Sequence, residues 1–196
     1  MNIFYLDSNP RKCAEMHFDK HVVKMILEYA QLLSTAHRVL DGEEYIGQSQ
    51  SGRKIKRWKL NDTSKDDVLY KATHINHPSA VWVRQSNNNY TWLFCLFQEL
   101  LVEYTHRYGK NHSCGRLVYF LRLPPNNIPI GYLTQPTPAM PDIYKVPGDS
   151  RESYRNYYIG AKNHMAKWKS RNVPAWWNIK MFPTGGTLML HNQFYK

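Results

Sequence analysis

The stretch His17-Phe18-Asp19-Lys20-His21-Val22-Val23-Lys24-Met25-Ile26-Leu27-Glu28-Tyr29-Ala30-Gln31 decides the fold. Advanced at about 100° per residue, it sets Val22, Val23, Ile26, Tyr29, Ala30 and, two residues beyond, Leu33 on one side. His17, Lys20, His21, Lys24, Glu28 and Gln31 fall on the other. That is the period of an amphipathic helix. Upstream, Asn9 is placed to cap and Pro10 to occupy the first helical position, where its missing N–H costs nothing. Downstream, the helical pattern lasts to about Leu40, with Gly42 as terminator and His37 and Arg38 complementing the negative helix end. Ala14 and Phe18 define a slightly different face, so a break is expected near Asp19, whose carboxylate would cap the second piece.

Working outward, residues 42–67 are polar and charged. Arg53-Lys54-Ile55-Lys56-Arg57-Trp58-Lys59 follows the turn-like Ser49-Gln50-Ser51-Gly52, which predicts a two-stranded hairpin with one basic edge. Asn76-His77-Pro78-Ser79 opens a second helix, read as continuous from Ala80 to Tyr108 and closed by Gly109. Ser86-Asn87-Asn88-Asn89-Tyr90 inside it is locally inconsistent, because Asn is a poor helix former. Seven prolines between Pro124 and Pro147 forbid a regular helix and predict a surface loop. A third helix is read from Ser150 to Ser170 on the spacing of Tyr154, Tyr157, Tyr158, Ala161 and Met165. The expected fold is mainly α: a single compact helical domain over residues 1–196, with a small basic β-hairpin insertion at about 42–67 and a Pro-rich surface loop at about 124–147.

Lys and Arg number 26 against 15 Asp and Glu, a net charge of +11 that favours a polyanionic partner. Nucleic acid ranks ahead of an anionic membrane, since no window holds 18 apolar residues and the N-terminus lacks the basic-then-apolar order of a signal peptide. Cys13, Cys95 and Cys114 are isolated from one another, which offers neither a disulfide framework nor a CxxC zinc site. The expectations are a cytoplasmic protein, a monomer or weak homodimer, with DNA, double- or single-stranded, as partner and without membrane, cofactor or metal. Fourteen Tyr and six Trp supply flat faces for unpaired bases, or fill the core.

The polar stripe holds two imidazoles, two amines, a carboxylate and an amide. As an ordinary solvated face it needs only Glu28 pairing Lys24 at i,i+4. As an acid/base set it has the residue types for base excision. Breaking an N-glycosidic bond develops positive charge on the sugar, which a carboxylate stabilises, and a neutral amine can attack C1′ to give a Schiff base. Glu28 and Lys24 are the candidates, with His21 and His17 beside them and Lys20 and Gln31 facing substrate; Lys20 and His21 would help keep Lys24 neutral. His17 and His21 also have the spacing of two metal ligands on a helix, without a third.

In the second constellation, Asn76 or His77 caps the helix and its open N–H groups could receive a phosphate near Arg84. In a third, Arg155 and Lys162 lie on a Tyr-rich basic helix, and Arg53, Lys54, Lys56 and Arg57 of the hairpin supply a phosphate grip. Core packing with a charged surface explains these equally well.

The pattern Asp19-Lys20-His21-x-x-Lys24-x-x-x-Glu28-x-x-Gln31-Leu32-Leu33, followed by Asn76-His77-Pro78-x-x-x-Trp82, resembles uncharacterised phage and bacterial proteins. Leu33 to Arg38, Phe97 to Gly109 and Ser153 to Tyr158 extend that likeness over most of the chain. Through the first helix and the Asn-His-Pro segment these proteins distantly resemble pyrimidine-dimer DNA glycosylases of the phage endonuclease V type. The resemblance implies an all-α fold and damaged-base excision coupled to strand cleavage, with a first-helix glutamate, approximately Glu28, in support. In that family the nucleophile is the α-amine of an N-terminal threonine. Here Asn2 is too large for ordinary initiator removal, so the Met1 amine or Lys24 would take the role, or the lyase step is absent. Two other readings stand beside a DNA glycosylase: a non-catalytic basic nucleic-acid-binding module, and an enzyme acting on a nucleotide-like small phosphate compound.

Overall fold

Asn9 caps as its position predicts: its Oδ1 accepts from the Lys12 N–H at 3.1 Å, and Pro10 begins helix α1, Pro10–Glu15. The computed structural model describes residues 1–181, so the Gly185-Gly186 tail and the last part of the expected 1–196 domain lie outside the described residues. The long N-terminal helix breaks where the sequence suggested, but not through the expected cap. Phe18 is extended, and α2 runs Asp19–Asp41. The Asp19 N–H donates to the Lys167 carbonyl at 2.9 Å. Its carboxylate accepts from Arg107 Nη1 at 2.9 Å and from the Lys169 N–H at 2.8 Å, so Asp19 ties together distant segments instead of capping its own helix.

Gly42 ends α2 with its N–H on the Arg38 carbonyl at 3.0 Å. A Cβ there would sit 2.5 Å from that oxygen, so close approach and not a left-handed backbone demands the glycine. The hairpin follows as β1, Glu43–Gln48, antiparallel to β2, Lys54–Lys59, with Glu43 opposite Lys59 and Gln48 opposite Lys54. A short helix the sequence reading missed, α3 (Thr63–Val68), occupies the end of the insertion; the Asp62 carboxylate caps it. Arg38 ties hairpin and helix together: its guanidinium donates to the carbonyls of Trp58, Asp66, Leu69 and Tyr70 and to the Asp66 carboxylate at 2.6 Å. Those donors satisfy carbonyls that a buried loop would otherwise leave unpaired.

The second helix, expected as one rod, is two: α4, Pro78–Gln85, and α5, Asn87–Tyr108. The chain is extended at Ser86, whose hydroxyl caps α5 by accepting from the Asn89 N–H at 3.1 Å. The asparagines that fit poorly into a helix are there to hold the Pro-rich loop. The Gly131 N–H donates to Asn87 Oδ1, Asn88 donates to the Gly131 carbonyl, and buried Asn89 donates to the Trp82 carbonyl and accepts from the Thr134 N–H. Gly109, left-handed at φ 64°, terminates α5. A 3-10 turn at Ser113–Leu117 leads into α6, Val118–Leu121, and the loop then wraps across the surface with one 3-10 turn at Asp142–Tyr144.

The third predicted helix stops early: α7 is Ser150–Ala161, capped by Asp149, and Asn163–Met165 tightens into a 3-10 turn. The chain beyond is recruited by packing, with Trp168 and Trp177 edge-on to the buried Phe18 ring at 5.0 and 5.6 Å. The last described helix is α8, Ala175–Met181.

α5 packs against α1, α2 and α4, and one hydrophobic cluster runs from Ile3 to Trp177, so the molecule is a single, mainly α-helical domain. Its electrostatic pin is Arg107, 0 % exposed, which donates to Glu103 at 2.6 Å, to Asp19, and to the Glu15 and His17 carbonyls. Arg171 closes the set on Glu103 at 2.8 Å. These donors hold the Glu103 carboxyl below its usual range against the opposing effect of burial. Among the described residues no helix is long and apolar enough to cross a membrane.

Candidate active site

The six-residue polar stripe does not survive as a face. His17 precedes α2 and is fully buried; its Nδ1–H donates to the Cys13 carbonyl at 2.7 Å, and Nε2 faces the Tyr29 hydroxyl at 3.4 Å. His21 is 5 % exposed, stacked on Phe4 at 4.3 Å, with Nδ1 sharing a 2.7 Å hydrogen bond with Tyr158. Burial pushes His17 down to about 4 and His21 down to about 3. Both are neutral core residues covered by the N-terminal segment and α7, which the helical wheel of a single element does not register. Val23, placed on the buried side by that wheel, is 40 % exposed, as is Leu27. The face α2 leaves open carries Lys20, Val23, Lys24, Leu27, Glu28 and Gln31.

Glu28 is the focus of that face. Its Oε1 lies 3.2 Å from Lys24 Nζ and its Oε2 lies 4.0 Å from the Met1 amino group. Lys24 is 70 % exposed, whereas the Glu28 and Met1 side chains are 15 % and 6 % exposed. One largely buried carboxylate therefore lies between a surface amine and the amino group of a residue whose side chain is buried. The N-terminal segment is held in place by the core: the Phe4 N–H donates to the Tyr29 hydroxyl on α2 at 3.1 Å, which sets the chain end beside the helix.

The Asn76-His77-Pro78 segment, remote in sequence, arrives at the same place. His77 caps α4, its Nδ1 accepting from the Ser79 N–H at 3.2 Å, and Asn76 beside it is exposed. The His77 imidazole is pushed down first by burial, then by the Met1 amino group and His74, against the pull of Glu28. His74 has φ 48°, a conformation uncommon outside glycine, with its Nδ1 on Thr73 Oγ1 at 2.7 Å. Met1, Glu28 and Lys24 thus form one cluster, and His77 lies within reach of the charges of Met1 and Glu28. Of these, Lys24 and Glu28 open onto a groove of about 560 Å³ lined by Val23, Lys24, Leu27, Glu28 and Gln31 on one side and by Tyr70 and His112–Cys114 on the other. Tyr70 and His112 had no signal in the sequence, because the groove's far wall is made by residues about forty and more than eighty positions downstream of Glu28.

The remaining candidates lie elsewhere. Lys20 is exposed one turn before Lys24. Arg84 donates from Nη2 to the Ile75 carbonyl at 2.7 Å, bracing the segment before α4 instead of standing free for phosphate. Arg155 donates to the Leu6 carbonyl at 2.8 Å and lies 5.3 Å over the Trp176 ring, a packing role. Lys162 sits 5.1 Å over Tyr157. Arg53, Lys54, Lys56 and Arg57 are on the hairpin, whose base is about 21 Å along α2 from Glu28 at 1.5 Å per residue; Lys56 is paired with Glu44 at 2.8 Å. Among the described residues no three His, Cys, Asp or Glu side chains gather as a metal would require. Comparisons with known protein families, with curated proteins and with solved structures give no match.

Proposed function

We propose that this protein is a DNA N-glycosylase that removes a damaged or modified base and can carry the reaction on to cleavage at the abasic site. The observation that carries the reading is the largely buried Glu28 carboxylate lying between the Met1 amino group and Lys24. It supplies what excision chemistry needs at one point. An amine, once neutral, attacks C1′; the new C–N bond forms as the glycosidic C–N bond breaks, and the base leaves with the electron pair and takes up a proton. Glu28 stabilises the positive charge that grows on the sugar and accepts the proton the amine sheds as the ring opens to an imine. Loss of a C2′ proton from that imine expels the 3′ phosphate. The net charge of +11 brings the polyanion to the site.

Borohydride reduction in the presence of an abasic-site duplex is expected to leave a covalent protein–DNA adduct, and mass spectrometry to map it to Met1 or Lys24. Glu28→Gln should slow adduct formation by about a hundredfold or more without weakening DNA binding. The absence of any adduct, together with no base release from ultraviolet-irradiated, alkylated, deaminated or oxidised DNA, would refute the assignment. It would leave only an electrostatic binder.

A further inference from the structure

The Pro-rich loop carries a feature that the chemistry at Glu28 does not use. Its backbone is fastened at successive points. The Asn126 and Asn127 N–H groups donate to the Asp41 carboxylate at 2.8 and 2.9 Å, and the Pro129 carbonyl accepts from the Asn87 N–H. Gly131 is held by Asn87 and Asn88, the Tyr132 carbonyl accepts from Ser86, and Thr134 is held by Asn89 and Trp82. On this fixed backbone Ile130 and Tyr132 stand 94 % and 91 % exposed. An extended chain directs residues i and i+2 to one side. A large apolar side chain and a ring held in water on an already ordered segment have lost their backbone entropy before anything binds, which is the condition for an efficient contact surface.

The neighbourhood identifies the occupant. Asp41, which anchors the loop, is the last residue of α2, and Gly42 and the basic hairpin follow directly. Ile130 and Tyr132 are therefore within about 11 and 18 Å along the chain of Asn127, which Asp41 holds one residue before Gly42 and the hairpin. The hairpin sets five cations against two carboxylates, and of the cations Arg53, Lys54, Arg57 and Lys59 form no ion pair among the described residues. Just before the loop Arg122 lies 4.4 Å over the 65 % exposed Tyr119 ring. Cations interleaved with exposed rings match a phosphate backbone that carries unstacked bases; a neutral protein partner would have no use for the charge.

We infer that the loop around Ile130 and Tyr132, together with the basic hairpin, is a second nucleic-acid contact that grips unpaired bases away from the Glu28 site. Tyr132 stacks on a base, Ile130 packs against its neighbour, and the hairpin cations hold phosphates further along the same strand. The inference rests on the nucleic-acid partner proposed above and not on the excision chemistry.

The test is fluorescence anisotropy with a labelled thirty-nucleotide oligothymidine strand and a blunt duplex of equal length, across a series of salt concentrations. Ile130→Ala/Tyr132→Ala removes side chains that bury almost nothing, so the fold is kept. It should weaken single-strand binding about tenfold or more while leaving the salt dependence unchanged. Tyr132→Trp should bind at least as well as the wild type, and Lys54→Gln/Arg57→Gln should flatten the salt dependence instead. Single-strand affinity unchanged in the double alanine variant would overturn the inference, as would loss only of self-association in sedimentation. If borohydride trapping on abasic DNA persists in that case, the excision reading stands without this surface. If the wild-type protein is neither trapped nor bound, both fall.

Discussion

Acidification should unfold this protein well before its carboxylates titrate, because three imidazoles are enclosed in the core as neutral groups. His17 and His37 are pushed down to about 4 and His21 to about 3, burial being the largest cause for each. In the unfolded chain a histidine titrates near 6.5. Between those values the unfolded state holds protons that the folded state excludes, so stability is full above about pH 7 and is lost as the pH falls from 6.5 toward 4. Each group contributes about 1.4 kcal/mol per pH unit within that window, so three together give about 4 kcal/mol per unit near pH 5.5. Set against a usual total of about 5–15 kcal/mol, two units of acidification remove most of it. Urea unfolding followed by circular dichroism at pH 7, 6, 5.5 and 5 should show the midpoint falling steeply with little change in slope. His21→Gln can keep a hydrogen bond to Tyr158 without a titrating ring, and should lower the pH dependence by about one proton. A stability that varies by less than about 1 kcal/mol between pH 6.5 and 5 would refute the enclosed-imidazole account.

Arg107→Ala leaves Glu103 and Asp19 without their central cation and should destabilise the fold by about 3–5 kcal/mol in urea titration. Asn89→Ala removes both the cap on the Trp82 carbonyl and the acceptor for the Thr134 N–H. It should cost about 1–3 kcal/mol, with hydrogen exchange accelerating at Thr134 before the α5 amides. Gly109→Ala forces a side chain into the left-handed terminus of α5 and should cost about 1 kcal/mol, read as a lowered Tm.

Much of the local plan is legible in single stretches of chain. Asn9-Pro10, Gly42, Asn76-His77-Pro78 and Gly109 mark boundaries that the fold uses, because capping depends on a few adjacent residues. The break at Ser86 was visible only as a local inconsistency. Its resolution required the Pro-rich loop, some forty-five residues away, to supply the carbonyls and N–H groups that the asparagines bind. The end of α7 was misread for a similar reason. Met165 continues a helical spacing, but the segment after Lys162 is pulled off the helix axis to set Trp168 against Phe18.

The amino-acid order alone therefore determines a basic, mainly helical chain with a hairpin and a Pro-rich loop, since period, charge and turn chemistry are properties of neighbours along the backbone. Which stripe residues meet solvent was decided only in three dimensions. A helical wheel counts one helix, whereas His17 and His21 are buried by the N-terminal segment and α7, which contribute nothing to the wheel. Glu28, Lys24 and Met1 come together, with His77 in reach of the charges of Met1 and Glu28, because α2, the N-terminal segment and the start of α4 pack on one core. Proximity across such distances in sequence is a product of that packing.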